Sequence, residues 1–326
     1  MPIEITVRTQ RRRSNTPFKI AFATIDHVDC VYVEAVLDGV TGRGEAAGVF
    51  YRDETARSIV LQIEAVRGCL DQDRPRDALL ELLPWGGARN ALDCALWDLE
   101  CKRAGTTIWR KLGLTPKPLR TAATIGIDTP DAMAERSRGL RAFSVLKVKL
   151  DGDQPIARLA AVREARPDAD LIVDVNQAWS VRHLCTAMPA LKKLGVRMLE
   201  QPLPAGGDAA LSEIERPIPI YADESFFTSQ DIAQLSRRYD GVNIKLDKTG
   251  GLTEGLSVCR RAKEAGLGLM VGNMMGTSLA TAPAFVVGQY CDWVDLDGPL
   301  FHVADVAPSM RYENGLLYPP DRSLWG

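Results

Sequence analysis

A (β/α)8-type barrel with an α+β N-terminal capping domain is the fold class this sequence predicts, on three observations. From residue 120 onward, short apolar runs alternate with helical segments through eight strand–helix repeats, the signature of a barrel. Before that point the chain is mixed, with alternating strands followed by helices. Between the two halves Pro116 and Pro118 break the chain. Residues 1–116 are therefore read as the cap, 117–298 as the barrel that carries the active site, and 299–326 as a C-terminal segment packing back on the cap. An open doubly wound sheet is the competing fold. It is disfavoured because no G-x-G-x-x-G follows the first strand of the second half.

In the cap, residues 3–9 and 29–38 alternate as antiparallel strands, with Asp38-Gly39 as a turn signal. The Gly-rich "TGRGEAAG" reads as a mobile loop, and residues 54–70 and 75–82 as helices. "NALDCALWDLECKRAG" reads as an amphipathic helix ending at Gly105, with a short helix at "IWRKLG". In the second half, strands are predicted over 121–127, 143–149, 171–175, 196–200, 218–222, 242–246, 267–271 and 291–296. Helices are predicted over 155–166, 180–194, 228–238 and 253–265.

Bulk properties exclude several function classes. A net charge of −2 over 326 residues gives no pull toward nucleic acid or an anionic membrane, so neither is expected as a partner. The basic run Arg11–Arg13 reads as a solvated loop. No apolar run is long enough to span a bilayer, and "MPIEITVRTQ" lacks the apolar core of a signal peptide. Seven scattered cysteines without a CxxC pair read as reduced thiols, which points to the cytoplasm. His27, His183 and His302 are the only histidines, which limits imidazole chemistry.

In a barrel, functional groups stand at the C-terminal ends of strands. Those ends carry Asp174 and Asn176 ("LIVDVN"), Glu200 ("VRMLE"), Asp223 and Glu224 ("IPIYADE"), Lys245 ("VNIKLDK"), and Asp295 and Asp297 ("DWVDLDG"). Three consecutive strands thus deliver Asp174, Glu200 and Asp223 at one level. Helix capping would explain any one of them, but caps need no register. Three carboxylates converging in a low-dielectric site need a neutralising cation, and an all-oxygen donor set favours Mg²⁺ over zinc. "FSVLKVKL" raises a further question. Lys147 and Lys149 lie two apart in a strand and so share one face. Facing a metal site at the barrel mouth accounts for both, with Lys245 on the opposite side. Burial and neighbouring cations are expected to lower a lysine pKa toward that of a general base. A substrate carboxylate on the metal would have an acidified α-C–H. One base would remove that proton to give an enediolate, and an acid on the other face would return it with inversion.

"LKVKL", "DVNQAW", "EQPLP", "ADES", "NIKLDKTGG" and "DLDGP", in this order, resemble the muconate-lactonizing subgroup of the enolase superfamily, and within it the dipeptide epimerases. "ARNALDCALWDLE" extends the resemblance into the cap. It implies an enolase-like modified barrel in which Asp174, Glu200 and Asp223 bind Mg²⁺ and Lys149 and Lys245 are the paired acid and base. It implies that Lys147 tunes Lys149 and touches the substrate carboxylate. Asp295 and Asp297 would hold a dipeptide's free α-ammonium, with Thr124 and Phe22 as further substrate contacts and Asn176 and Glu224 supporting the ligands. The implied partner is a small dipeptide of L-Ala-X type; homo-oligomer formation is left open. Members acting on Ala-Glu carry an arginine shortly after a Pro-Phe pair. Here Pro17-Phe18 is followed by Lys19, Ile20, Ala21, Phe22 and Ala23. Phe22 suggests a more apolar or smaller second residue, while Lys19 or Arg11–Arg13 could still serve an acidic one. Rival activities in the same subgroup are N-acylamino-acid racemase, o-succinylbenzoate synthase and muconate cycloisomerase, which have no use for an ammonium clamp. A silent barrel serving as a scaffold is a further alternative.

Overall fold

The computed structural model describes residues 3–70 and 75–326. The cap begins with strands β1 (Glu4–Lys19), β2 (Thr24–Leu37) and β3 (Val40–Ala46), an antiparallel sheet in the order β1-β2-β3. Helices α1 (Ala56–Val66), α2 (Pro75–Leu82), α3 (Gly87–Arg103) and α4 (Ile108–Leu112) follow.

Four expectations change here. β1 and β2 run well beyond 3–9 and 29–38, because pairing of polar residues continues to Arg13↔His27 and, after a register shift, to Lys19↔Thr24. The basic run is therefore strand rather than solvated loop. Arg11 forks onto Asp29 at 2.8 and 2.9 Å, and Arg12 Nε donates to the Tyr32 hydroxyl at 2.9 Å. "TGRGEAAG" is not a mobile loop but mostly β3, pressed against α3. A Cβ on Gly44 would stand 2.0 Å from the Ala91 carbonyl oxygen, so close approach of the two backbones accounts for that glycine. Lastly, α3 is not amphipathic: 14 of its 17 residues are buried, since it is sandwiched between the cap sheet and the barrel.

β4 (Leu119–Arg120) opens the second half. The barrel then runs β5 (Ala123–Ile125), α5 (Pro130–Gly139), β6 (Val145–Lys149), α6 (Pro155–Ala165), β7 (Asp170–Asp174), α7 (Val181–Lys193), β8 (Val196–Glu200) and β9 (Ile220–Ala222). It continues with α8 (Ile232–Leu235), β10 (Gly241–Ile244), α9 (Leu246–Thr249), α10 (Leu252–Glu264), β11 (Gly268–Val271), α11 (Ser278–Gly288) and β12 (Trp293–Val294). Strands β5 to β12 form one parallel sheet in sequence order. The Ala122 N–H donates to the Val294 carbonyl at 2.7 Å and joins the two ends of the sheet. The repeats are uneven: only a 3-10 turn (Ala209–Ser212) follows β8, and α8 is far shorter than the 228–238 expected. There the Asp231 carboxylate accepts the N–H groups of Phe227 and Thr228, a local turn that competes with helix. The chain ends with β13 (Tyr312–Glu313) and β14 (Leu316–Leu317), which pair with β4. Trp325 Nε1 then donates to the Cys94 carbonyl on α3 at 3.0 Å. Among the described residues no helix is long and apolar enough to cross a membrane.

Strand alternation positions the site. Leu146, Val148, Leu171, Val173 and Leu199 point outward into the main apolar core beneath the helices. Ala122, Val145, Ile172, Met198, Tyr221 and Met270 point inward and form a separate apolar layer inside the barrel. Two residues further along these strands the inward positions are Thr124, Lys147, Asp174, Glu200 and Asp223. The barrel is thus plugged by hydrocarbon low down and charged above.

Candidate active site

A cavity of about 310 Å³ lies between the barrel mouth and the cap. Thr124, Lys147, Lys149, Asn176, Glu224, Lys245, Asp295 and Asp297 line it from the barrel, and Phe18, Ile20, Phe22, Phe50 and Tyr51 from the cap. Asp174, Glu200 and Asp223 lie beside these groups, fully buried. Register brings them together: Lys149 pairs with Asp174 across β6 and β7, and Asp174 with Glu200 across β7 and β8, while Asp223 directly follows β9. β6 and β10 are four steps apart in an eight-stranded barrel, so Lys149 and Lys245 face each other across the cavity.

Asp174, Glu200, Asp223 and Asp295 are each matched by an ammonium group, whereas Glu224 and Asp297 accept from amide N–H groups. Lys147 Nζ sits 2.8 Å from Asp295, 2.8 Å from Glu200 and 3.1 Å from Asp174. Lys149 Nζ lies 2.5 Å from Asp174 and 3.2 Å from the Asn176 amide oxygen. Lys245 Nζ donates to Asp223 Oδ2 at 2.7 Å. Asn176 also holds the ligand strand, its N–H donating to Asp174 at 2.9 Å and its amide to Glu224 at 3.1 Å. The Thr124 N–H donates to Asp297 at 2.7 Å and its hydroxyl to Asp295 at 3.2 Å, so Thr124 holds the acid pair as well as lining the cavity. Phe22 stands at the lip, 48% exposed, its ring 5.9 Å from that of Phe50.

The electrostatics correct one expectation. Burial does work against the charge on Lys147 and Lys245, but neighbouring carboxylates outweigh it, and both lysines hold their protons more tightly than an ordinary lysine. The same pairs act on the acids. Burial opposes the charge of Asp174 and Asp223, yet the lysines beside them hold both well below the usual carboxylate range. Glu200, buried and beside the Asp174 charge, is pushed up to about 7. Burial and Asp223 push Glu224 up to about 8, and burial with Asp295 pushes Asp297 up to about 7.

The donor set suits a hard divalent cation. Among the described residues the carboxylates do not themselves close into a metal cage, because each is turned to a lysine that supplies the neutralising charge. Glu200 Oε2 is buried and accepts no hydrogen bond; Lys147 is near it but off the bonding direction. An orphaned carboxylate oxygen beside two more buried carboxylates matches all-oxygen ligation by Mg²⁺.

Sequence reasoning missed several groups. Lys248, fully buried, donates to Asp223 Oδ1 at 2.7 Å; its signal was the second lysine of "KLDK". Asn243 donates to Glu200 at 2.8 Å, and the inward alternation before Lys245 could have found it. Asn273 donates to the Asp295 carbonyl at 2.7 Å from a loop with no periodic pattern. The Tyr51 hydroxyl is buried at the cavity without a partner, on a cap segment that sequence cannot fold over the barrel. Of the basic residues considered for an acidic side chain, neither Lys19 nor Arg11–Arg13 lines the cavity.

Residues 2–113 match the mandelate racemase / muconate lactonizing enzyme N-terminal domain, and residues 131–323 the enolase C-terminal domain-like family. The chain belongs to this enolase-superfamily group, whose cap and barrel it contains. It is 42% identical to L-Ala-D/L-Glu epimerase of Escherichia coli K12, over 93% of this chain and 96% of that one. It is 44% identical to N-acetyl-D-glutamate racemase of a Pseudoalteromonas species, over 76% and 79% of the two chains. Among solved structures, an Agrobacterium tumefaciens enolase family member with homology to dipeptide epimerases, bound to sodium and L-Ala-L-Glu, superposes with a TM-score of 0.95. It is 40% identical, and all of both chains is covered. A dipeptide epimerase from Methylococcus capsulatus complexed with Mg and L-Arg-D-Lys superposes at 0.92, with 32% identity over 100% of this chain and 99% of that one. The chain is an isomerase of the racemase and epimerase kind.

Proposed function

We propose that this chain is a Mg²⁺-dependent dipeptide epimerase acting on L-Ala-X, with X other than an acidic residue. The observation that carries the chemistry is the pair Lys149 and Lys245, facing each other across one cavity. Asp174, Glu200 and Asp223 would hold the cation, which when bound neutralises these acids and polarises a substrate carboxylate. A substrate α-carbon placed between the lysines presents one face to each. The neutral lysine on one side takes the α-proton at Nζ, and the protonated lysine on the other donates from its Nζ to the opposite face, inverting the centre. Lys147, beside both Asp174 and Glu200, is placed to neutralise the substrate carboxylate. Asp295 and Asp297, two carboxylates held by Thr124, are placed for a free α-ammonium. The cap completes the enclosure and keeps water from the reacting carbon.

The second-residue reading rests on the cap wall. It is made of Phe18, Ile20, Phe22 and Phe50, and its ionisable members are Asp26, His27 and Asp29, with His27 Nδ1 turned to Asp26 at 2.5 Å. Lys19, between Phe18 and Ile20, does not line the cavity, and Arg11 is spent on Asp29. A glutamate side chain would meet hydrocarbon and like charge, at a cost for a buried unpaired carboxylate. This departs from the Ala-Glu dipeptide that several relatives and structural neighbours carry in their names.

The test is α-hydrogen exchange in D₂O with Mg²⁺, read by mass, across L-Ala-X dipeptides with acidic, aliphatic, aromatic and basic X. N-acyl amino acids run in parallel. Exchange with apolar X above Ala-Glu is the expected result. Preference for Ala-Glu would overturn the specificity. Exchange of N-acyl substrates alone would overturn the ammonium clamp in favour of a racemase.

A further inference from the structure

We propose that Lys248 sets the cation preference of the site by leaving Asp223 only one free carboxylate oxygen. The inference rests on Asp223 being a cation ligand, as proposed above. Asp223 carries two lysines that differ in kind. Lys245 reaches Oδ2 at 2.7 Å and also lines the cavity, so its ammonium group can leave the carboxylate for a substrate. Lys248 is fully buried in the turn of helix after β10 and does not line the cavity. Its ammonium group has three acceptors for three N–H bonds: Asp223 Oδ1 at 2.7 Å, the Asp223 carbonyl at 2.6 Å and the Asn243 carbonyl at 3.0 Å. It therefore has no reason to move when the cavity fills, and it fixes both the main chain and one oxygen of Asp223.

A carboxylate held this way ligates through Oδ2 alone. Mg²⁺ takes a compact octahedron and accepts one oxygen per carboxylate, whereas Ca²⁺ takes six to eight oxygens and readily uses both oxygens of one carboxylate. Holding Oδ1 thus costs Ca²⁺ a ligand and costs Mg²⁺ none. Glu200 Oε1 and Asp174 Oδ1 each accept a single neutral N–H, from the Asn243 amide at 2.8 Å and the Asn176 main chain at 2.9 Å; among these three carboxylates only Asp223 is held by an ammonium group that also grips its main chain.

Lys248→Met tests this, since methionine fills the same apolar slot beside the Phe226 ring, 5.0 Å from the ammonium group. Mg²⁺ and Ca²⁺ affinities are measured by calorimetry and by thermal shift on the full chain, without reference to turnover. The expected result is a wild type that prefers Mg²⁺ and a variant whose Mg²⁺-over-Ca²⁺ preference falls about tenfold, with Ca²⁺ the ion that gains. A purely structural role would weaken both ions alike and leave the ratio unchanged, and an unchanged ratio overturns the proposal. If the variant does not fold, the wild type decides: equal affinity for the two ions overturns it. A wild type that binds Mg²⁺ without the ratio change sinks this proposal alone. One that binds no divalent ion sinks the metal-site reading together with it.

Discussion

At the scale of single residues, the site is the inward face of an alternating barrel in which one layer switches from hydrocarbon to charge. Val145, Lys147 and Lys149 share one side of β6, and the switch lies between the first and second of them. The reading of Lys149 and Lys245 as a two-sided pair has a sharp consequence. Replacing either with alanine should lower epimerisation on the order of a thousandfold, the usual scale for a positioned acid–base group. Each variant should still wash deuterium into the epimer whose α-proton faces the lysine that remains, and the two variants should do so with opposite epimers. Exchange mass spectrometry on separated L,L and L,D substrates reads this directly. Loss of exchange from both epimers in either variant would count against two independent bases. Tyr51 gives a gentler test. Its buried hydroxyl lacks a partner at the cavity, so it is available to substrate. Tyr51→Phe should raise KM about two- to tenfold with little change in kcat, the size of one neutral hydrogen bond. Phe22→Arg should shift the ratio of kcat/KM for Ala-Glu over Ala-Leu upward, by supplying a guanidinium where the cap wall has no lysine or arginine.

At the scale of elements, what was legible depended on whether a pattern was set locally. The barrel strands could be read because an apolar run ending in a polar residue is a local signal, and the register of Asp174, Glu200 and Asp223 followed from it. β3 could not be read in this way. Its glycines at 42 and 44 resemble loop chemistry, but their cause is α3, distant in sequence, whose backbone passes too close for a side chain. The outer half of β1 was hidden because its exposed polar run carries no apolar periodicity, and only pairing with β2 makes it strand. Lys248 escaped notice because its carboxylate partner, Asp223, stands at the end of β9, a full strand earlier than the β10 that leads into Lys248. Gly44→Ala measures the first of these effects. A Cβ 2.0 Å from the Ala91 oxygen must push β3 off α3, with an expected loss of about 1–3 kcal/mol or more and a lower Tm. Gly68→Ala is the control, because nothing lies within 4 Å of its Cβ. Equal Tm for the two variants would mean that β3 and α3 are not held in contact as described.

At the scale of the whole molecule, the cap and barrel meet along a seam of buried acids that lie outside the cation site. Asp247 accepts the Ala47 and Gly48 N–H groups at 2.8 and 3.2 Å. Glu45 accepts the Thr277 N–H at 2.8 Å, and Asp93 the Thr253 N–H at 2.9 Å. The seam thus pins the segment that carries Phe50 and Tyr51 over the cavity, and coupling cap to barrel couples stability to the shape of the site. Burial pushes Asp247 up to about 7 in the folded chain, from an ordinary value of 3.8. A carboxyl whose folded pKa is raised binds its proton more tightly folded than unfolded. Its contribution is complete below about pH 4 and is lost as pH rises through about 7, an effect on the order of 4 kcal/mol. Asp247→Asn keeps an oxygen acceptor for both N–H groups and removes the titration. Between pH 5 and pH 8 the wild type should therefore lose stability relative to the variant by up to a few kcal/mol, with the two profiles diverging upward in pH. Chemical denaturation of both proteins in chelator across that range checks it. The acids of the cation site titrate alike in the two and cancel in the difference, so parallel profiles would mean that Asp247 is ionised without penalty and that the seam is wetter than its burial implies.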